Sequence, residues 1–292
     1  MRKNRSSSQA AESKRTASLR IFTNNIRGFT SKQESVEEDI VKKLRPDVIN
    51  LSETLKRNNS KIKINDYITF SKNRSDEGGG GISTSIKNSL KTNATKVVDD
   101  NENDEFMVTR LDHVKPALNI VHIYGRIEAR EAGKPQKILK SWTKILQELR
   151  AIETRQEAVL VCGDMNRAVG CGPGGVLGNK SEVSYGGRLI RDLIATGDYH
   201  MLLNSSLAEG GPWTRVCPST GSPSCLDLSI GSTNLLPFLR RVVVDSSRLY
   251  TPRRAVTKKG RLTCTFTDHY PVVVDLEMPR ARGEVGASVE HK

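Results

Sequence analysis

A set of apolar stretches in this chain stops at residues able to bind or move charge. "LRIFTNN" ends in Asn24 and Asn25, "DVINLSE" in Glu53, "NIVHIYG" at Tyr124, and "VLVCGDMN" in Asp164 and Asn166. "SCLDLSI" carries Asp227 inside an apolar run, and "FTDHYPVVV" sets Asp268 and His269 directly ahead of one. Side chains at i and i+2 of an extended segment point to one side, so Asp164 and Asn166 can face one spot. Singly, each residue is also an ordinary turn former or rim residue. Asp164 with Asn166 is equally the pattern of an Asx-turn, and Tyr124 that of a core tyrosine with its hydroxyl satisfied. Together they supply hard oxygen donors, which suit Mg²⁺, with Mn²⁺ as a substitute. A divalent cation, a histidine facing phosphate and a carboxylate orienting water are the parts that phosphate-ester hydrolysis requires.

Residues with such roles must sit where strands end side by side. "LRIFTNN" (19–25), "DVINLSE" (47–53), "EFMVTRL" (105–111), "ALNIVHIYG" (117–125) and the run 158–163 all read as strands. "GGGGISTSI" (78–86) enters an alternation of Ile82, Thr84 and Ile86 through four glycines. Helical spacing marks "QESVEEDIVKKL" (33–44), where Val36, Ile40, Val41 and Leu44 share a side and Pro46 is the stop. "PQKILKSWTKILQELRAIE" (135–153) is the clearest amphipathic helix, and "GRLIRDLIATG" (187–197) is another, closed by glycine. The short strands "YHMLLN", "PWTRV", "CLDLSIG", "RRVVVD" and "YPVVVDLEM" follow. "RVCPSTGSPS" (215–224) has the form of a hairpin tip, and the acid-free "RLYTPRRAVTKKGR" (248–261) that of a mobile loop. Elements mixed in this order predict a layered α/β fold with antiparallel pairs toward its C-terminal end.

Length and charge narrow the classes. The 292 residues suffice for one large α/β domain. Residues 1–18 and 280–292, rich in charge and small polar residues, are expected to be disordered, leaving 19–279 as the folded unit. Hydrophobic residues make up 36% and the mean hydropathy is −0.47, and no run approaches the ~18 apolar residues that span a bilayer. The N-terminus has no apolar stretch behind its charges, so a secretory signal is not expected and the location is nuclear or cytoplasmic. Of the formal charge of +13, the first 18 residues hold +4 and the last 13 hold +1, which leaves +8 on the body. A body this basic favours a polyanion, either nucleic acid or an anionic membrane surface. The five cysteines have no C-x-x-C spacing, which argues against a zinc site or a disulfide framework.

The blocks resemble the endonuclease/exonuclease/phosphatase superfamily, the group of DNase I and the major AP endonucleases, over about 19–277. "LRIFTNNIRG" is similar to its opening block, "DVINLSET" to its glutamate block, "IVHIYGR" to its tyrosine segment and "VLVCGDMN" to its G-D-x-N block. "SCLDLSI" and "FTDHYPVVVDL" are similar to the two that close it. Within the superfamily, "RSDEGGGGISTSIK" and "NIRG" resemble the apurinic-like endonuclease domain of LINE-type retrotransposons. There are departures. Asn24 stands where many members have tryptophan, Thr267 where serine is usual, and Arg27 where AP endonucleases carry an acid that assists the metal. In such an element a reverse transcriptase would follow, and no room for one is expected after Arg280.

The resemblance implies a four-layer α/β sandwich, two packed mixed sheets flanked by helices. It implies Mg²⁺-dependent nicking of double-stranded DNA that leaves 3′-hydroxyl and 5′-phosphate ends, by a monomer without a membrane partner. Glu53 would be the principal metal ligand, with Asn25 and Asp268. Asp164 would activate water with Asn166, Asp227 would hold His269 against the scissile phosphate, and Tyr124 would touch that phosphate. Arg27, Arg126, Thr214, Arg253, Arg254, Lys258 and Lys259 would meet DNA, and the 215–224 hairpin would probe its groove. Two other readings stay open. "GDMNR" also resembles a block of inositol polyphosphate 5-phosphatases, although "SCLDLS" lacks their W-C-D-R pattern. Sphingomyelinases share the superfamily but are usually secreted. A degenerate relative that only binds nucleic acid is the other reading.

Overall fold

Period-two alternation settles the architecture. The computed structural model describes residues 16–56, 60–73, 80–90, 94–97, 105–125, 135–179, 181–258 and 261–281. In chain order its strands are β1 (Thr16–Asn25), β2 (Val48–Ser52), β3 (Tyr67–Lys72), β4 (Ile82–Lys87), β5 (Ala94–Val97), β6 (Glu105–Leu111), β7 (Leu118–Tyr124), β8 (Ala158–Asp164), β9 (Tyr199–Met201), β10 (Ala208–Glu209), β11 (Arg215–Val216), β12 (Pro223–Ser224), β13 (Asp227–Ser232), β14 (Leu239–Val244), β15 (Arg253–Lys258), β16 (Arg261–Phe266) and β17 (Val272–Pro279). One sheet has the order β10-β14-β17-β1-β2-β4-β3, the other β5-β6-β7-β8-β13-β9. Both are mixed: β1 runs parallel to β2 and β7 parallel to β8, while β17 and β13 join antiparallel.

The two sheets face each other. Ala17, Leu19 and Ile21 of β1 meet Leu118 and Ile120 of β7 and Ala158 and Leu160 of β8 in one core. The opposite face of β1 and β2, with Phe22, Ile49 and Leu51, packs on Val36, Ile40 and Leu44 of the helical stretch 33–44. Val121, Val159 and Val161 pack on Trp142, Ile145 and Leu149 of the helix Pro135–Glu153 and on Ile190 of the helix Tyr185–Ala195. Helix, sheet, sheet, helices: this is the expected four-layer sandwich. Each aliphatic side chain buried this way contributes about 1.5–3 kcal/mol.

Polarity changes along the layer between the sheets. On the inward faces, Leu19 and Ile21 give way to Thr23 and Asn25, Val48 to Asn50 and Ser52, and Ile120 to His122. Asn50 donates to Cys162 Sγ (3.4 Å) and accepts from Thr84 Oγ1 (2.9 Å), while His122 Nε2 lies 3.1 Å from Ser52 Oγ. The apolar filling therefore turns into a hydrogen-bonded layer before the strands end. Burial holds His122 neutral, its pKa pushed down to about 3.

Some boundaries differ from the sequence reading. β1 begins at Thr16, because Thr16–Ser18 pair with Glu277–Pro279, so the segment expected to be disordered gives its last residues to the sheet. The stretch 33–44 is helical as expected, but after Gln33–Ser35 it is π-wound over Val36–Leu44 and closes on left-handed Arg45. The helix expected over 187–197 starts at Tyr185, since Ser184 caps it by accepting from the Gly187 amide. Within the expected loop 248–261, Arg253–Lys258 instead form a strand, β15, paired with β16 in a two-stranded ribbon in which Arg253 meets Phe266. Among the described residues, no helix is long and apolar enough to cross a membrane.

Candidate active site

Glycine lets the strand ends come close. Gly163 has φ +131°, and a Cβ there would lie 2.0 Å from the Ile123 carbonyl oxygen. A Cβ on Gly125 would lie 2.0 Å from the Met165 carbonyl oxygen. No other residue fits either place, and the Gly125 amide donates to the Asp164 carbonyl (2.9 Å). β8 thus ends against β7, and Asp227 of β13 pairs in register with Asp164.

Asp164 and Asn166 meet, but not through extended alternation. β8 stops at Asp164, and Asn166 is left-handed at φ 48°. The Asn166 amide donates to Asp164 Oδ1 (3.0 Å), which is an Asx-turn. The Asn166 side chain donates to Asp164 Oδ2 (3.2 Å) and to the Gly125 carbonyl (2.7 Å). Turn and juxtaposition are one arrangement here. From the other sheet, Asn25 Nδ2 donates to Asp164 Oδ2 (2.8 Å) and spans the sandwich.

His269 closes this cluster. Its Nδ1 lies 2.8 Å from Asp227 Oδ2, and its Nε2 lies 3.9 Å from Asp164 Oδ2. All three residues are buried. Burial raises the Asp164 pKa, the Asp227 charge adds to that, and the group ends at about 7 although His269, Asn25 and the Asn166 amide pull it back. Burial alone would push His269 down, yet the charges of Asp227 and Asp164 outweigh it and raise the ring to about 9. The surroundings therefore favour the imidazolium form of His269 and make Asp164 a readier proton acceptor than an ordinary carboxylate. Asp164, Asp227 and His269 also bring possible ligand atoms within 4.8 Å of one another, but an imidazolium has no lone pair to give a metal ion.

The remaining acids form a second group. β1 runs on past its end beside Glu53: the amides of Ile26, Gly28 and Phe29 donate to the carbonyls of Ser52, Glu53 and Thr54. Two residues of the glycine run complete the brace, with Gly81 and Gly80 accepting from the amides of Thr54 and Leu55. Tyr124 Oη donates to Glu53 Oε1 (2.8 Å). Arg27 Nε lies 3.9 Å from Glu53 Oε2 and 2.9 Å from Asp268 Oδ1, and Arg215 Nε donates to Asp268 Oδ2 (2.8 Å). Asp268 Oδ1 is buried without a hydrogen bond, its contact with Arg27 being ionic. Hard carboxylate oxygens, one of them without a hydrogen bond, around a point that already draws a cation are a donor set that fits Mg²⁺ or Mn²⁺.

The structure thus brings together Asn25, Glu53, Tyr124, Asp164, Asn166, Asp227, Asp268 and His269. Thr214 is the exception among the expected contacts to DNA. It is wholly buried, and its hydroxyl accepts from the amides of Leu226 (3.0 Å) and Asp227 (2.9 Å). It fastens the chain behind Asp227, because two adjacent buried amides there need an acceptor. Arg253 and Arg254 are exposed on the ribbon, though Arg253 Nε sits 3.4 Å from Asp39. Arg126 and Lys259, and the side chain of Lys258, lie outside the described residues. Thr267 explains its own departure: its hydroxyl donates to the Asn25 carbonyl (2.8 Å) and accepts from the His269 amide (3.3 Å), roles that serine or threonine can fill. Sequence reasoning misses Arg215 and Lys32. Arg215 begins the expected hairpin and bridges to His269, but nothing local signals a partner 53 residues away. Lys32 is buried and donates to the carbonyls of Ile26 and Arg27 (2.5 and 3.0 Å), a clamp on the loop that carries Arg27.

A two-sheet sandwich with a buried Asp–His–Asp cluster and a carboxylate group at its strand ends has the architecture of a DNase I-like phosphoesterase. The chain belongs to the endonuclease/exonuclease/phosphatase family, whose pattern matches residues 25–269, and as such is a metal-dependent phosphodiesterase. Among solved structures it is similar to the catalytic domain of Xenopus laevis APE2, at 16% identity and TM-score 0.66, over 91% of this chain and 94% of that one. The AP endonuclease LMAP from Leishmania major is similar at 15% identity and TM-score 0.62, over 95% and 92%. A variant of the 3′ phosphatase NExo from Neisseria, bound to a product DNA hairpin, is similar at 13% identity and TM-score 0.61, over 88% and 99%. At these identities the likeness is one of fold. No curated protein sequence matches the chain.

Proposed function

We propose that this protein is an Mg²⁺-dependent DNA endonuclease that nicks one strand of a duplex to leave 3′-hydroxyl and 5′-phosphate ends. The observation that carries the reading is the buried cluster: Asp164 and His269, far apart in sequence, stand 3.9 Å apart, each with its pKa raised, to about 7 for the acid and about 9 for the imidazole. The His269 imidazolium, held by Asp227, hydrogen-bonds a non-bridging oxygen of the scissile phosphate and favours charge building there. Asp164, oriented by Asn25 and Asn166, accepts the proton of the attacking water. Oxygen of that water bonds to phosphorus as the bond to the 3′-oxygen breaks, and the released 3′-oxygen takes a proton from solvent water. Glu53 and Asp268 would hold the metal, which supplies charge neutralisation at the phosphate and the leaving oxygen. The exposed arginines of the ribbon and the overall positive charge draw the DNA backbone.

The nicking is of the target-site kind made by LINE-type retrotransposon endonucleases. Supporting this, the hairpin that contains β11 and β12 is joined to the site itself through the bridge between Arg215 and His269. The test is nicking of supercoiled plasmid with Mg²⁺, with EDTA, and with the Asp164→Ala and His269→Ala variants. Nicked circles that require Mg²⁺, accept nucleotides from a polymerase at their 3′ ends and vanish in both variants are expected. Plasmid left intact under Mg²⁺ and Mn²⁺ alike would overturn the reading. Nicks mapped by sequencing should cluster at preferred steps, and an even spread would remove the target-site part.

A further inference from the structure

Arg27 stands between Glu53 and Asp268, the two carboxylates that would hold a metal in the reading above. The backbone beneath it is fixed. Arg27 is left-handed at φ 46°, Gly28 follows at φ +101°, and the buried ammonium of Lys32 holds the carbonyls of Ile26 and Arg27 in place. The side chain is not so confined, with 44% of it exposed, whereas Asp268 keeps 3% and Glu53 18%. Two carboxylates aimed at one point repel unless a cation lies between them, and the guanidinium meets that need in part. It leaves Asp268 Oδ1 without a hydrogen bond and stays 3.9 Å from Glu53.

We infer that the Arg27 guanidinium is an exchangeable counter-ion: it balances Glu53 and Asp268 in the free protein and turns onto a DNA phosphate when a divalent cation takes those oxygens. This rests on the endonuclease reading above. A doubly charged hard cation competes for the same two oxygens with an advantage in charge, and must displace an ion pair to do so. Metal affinity is therefore low until a phosphate offers the arginine another partner. DNA and metal then strengthen each other's binding, as reciprocity between linked ligands requires.

The test is Mn²⁺ binding by the full chain, followed by the electron paramagnetic resonance signal of the free ion, with circular dichroism to confirm folding. Without DNA, Arg27→Gln should bind Mn²⁺ about tenfold more tightly than the wild type, and adding Glu53→Gln should abolish the gain. A short DNA duplex should tighten Mn²⁺ binding by the wild type more than by Arg27→Gln. Equal affinities in wild type and Arg27→Gln, or a gain that survives Glu53→Gln, would overturn the inference. Plasmid nicking at saturating Mn²⁺ is scored separately. Nicking with equal affinities sinks only the arginine's role, and a tighter Arg27→Gln without nicking by the wild type sinks only the endonuclease reading.

Discussion

Asp164, Asp227 and His269 are 1–2% exposed and tied to one another or their neighbours by hydrogen bonds. On the loop that follows β1, Arg27 keeps 44% of its side chain open and meets Glu53 and Asp268 through charge alone. The closed half controls protons: desolvation lifts an acid toward neutrality, and neighbouring carboxylates hold an imidazole charged. The open half controls cations: its oxygens are always balanced, but by a partner that solvent can reach and another ion can replace. Burial makes the first arrangement rigid, and exposure keeps the second exchangeable.

The sharpest way to break that contrast is to remove charge from the closed half without changing its shape. Asp227→Asn leaves a group that can still reach His269 Nδ1 but removes the largest force keeping the ring protonated. The turnover rate at saturating Mg²⁺ should fall about 10³-fold, with Mn²⁺ affinity near that of the wild type. A loss under threefold in steady-state nicking would show that the closed half does not act as a unit.

The pH profile comes next in size. In the proposed reaction Asp164 works without its proton, so the rate should fall about tenfold per unit as pH drops below about 7. His269 would act with its proton, so the rate should fall again as pH rises above about 9. In Asp227→Asn the alkaline limb should move to lower pH, because the largest of the charges that raise the value is gone. A profile without an alkaline limb would mean that the imidazole is not the charged partner of the phosphate.

The same contrast governs what is legible in the sequence. The closed half lies on strands or directly ahead of one, and its residues announce themselves: an apolar run that ends in Asp164, another that contains Asp227, a third that follows His269. Alternation shows which way Asn25 points, since Leu19, Ile21, Thr23 and Asn25 share one face. The open half lies on loops, where no period applies. Arg27 is visible as a departure, but its meeting with two acids depends on left-handed backbone at Arg27 and Glu53, both with positive φ. Asp268 with Arg215 and Lys32 with the Arg27 loop are contacts of tertiary structure, without a local pattern behind them. The ribbon reads as a loop because basic residues hide its β-branched alternation. Thr214 reads as a surface residue because a threonine in a short strand carries no mark of burial.

Tyr124 offers the finest test, because it belongs to both halves. It ends β7 beside β8 and is 5% exposed, yet its hydroxyl donates to Glu53 Oε1 in the open half. Tyr124→Phe keeps the ring in the core and removes only that donor, which frees Glu53 to rotate. Groups that orient a metal ligand typically govern affinity by a factor of about 10, so Mn²⁺ binding should weaken by about that much. Turnover at saturating metal should hold within about twofold, since Asp164 and His269 keep their partners. Should turnover fall as far as in Asp227→Asn while Mn²⁺ affinity stays put, the tyrosine would be acting on the phosphate rather than on Glu53. The boundary between the halves would then run on the other side of β7.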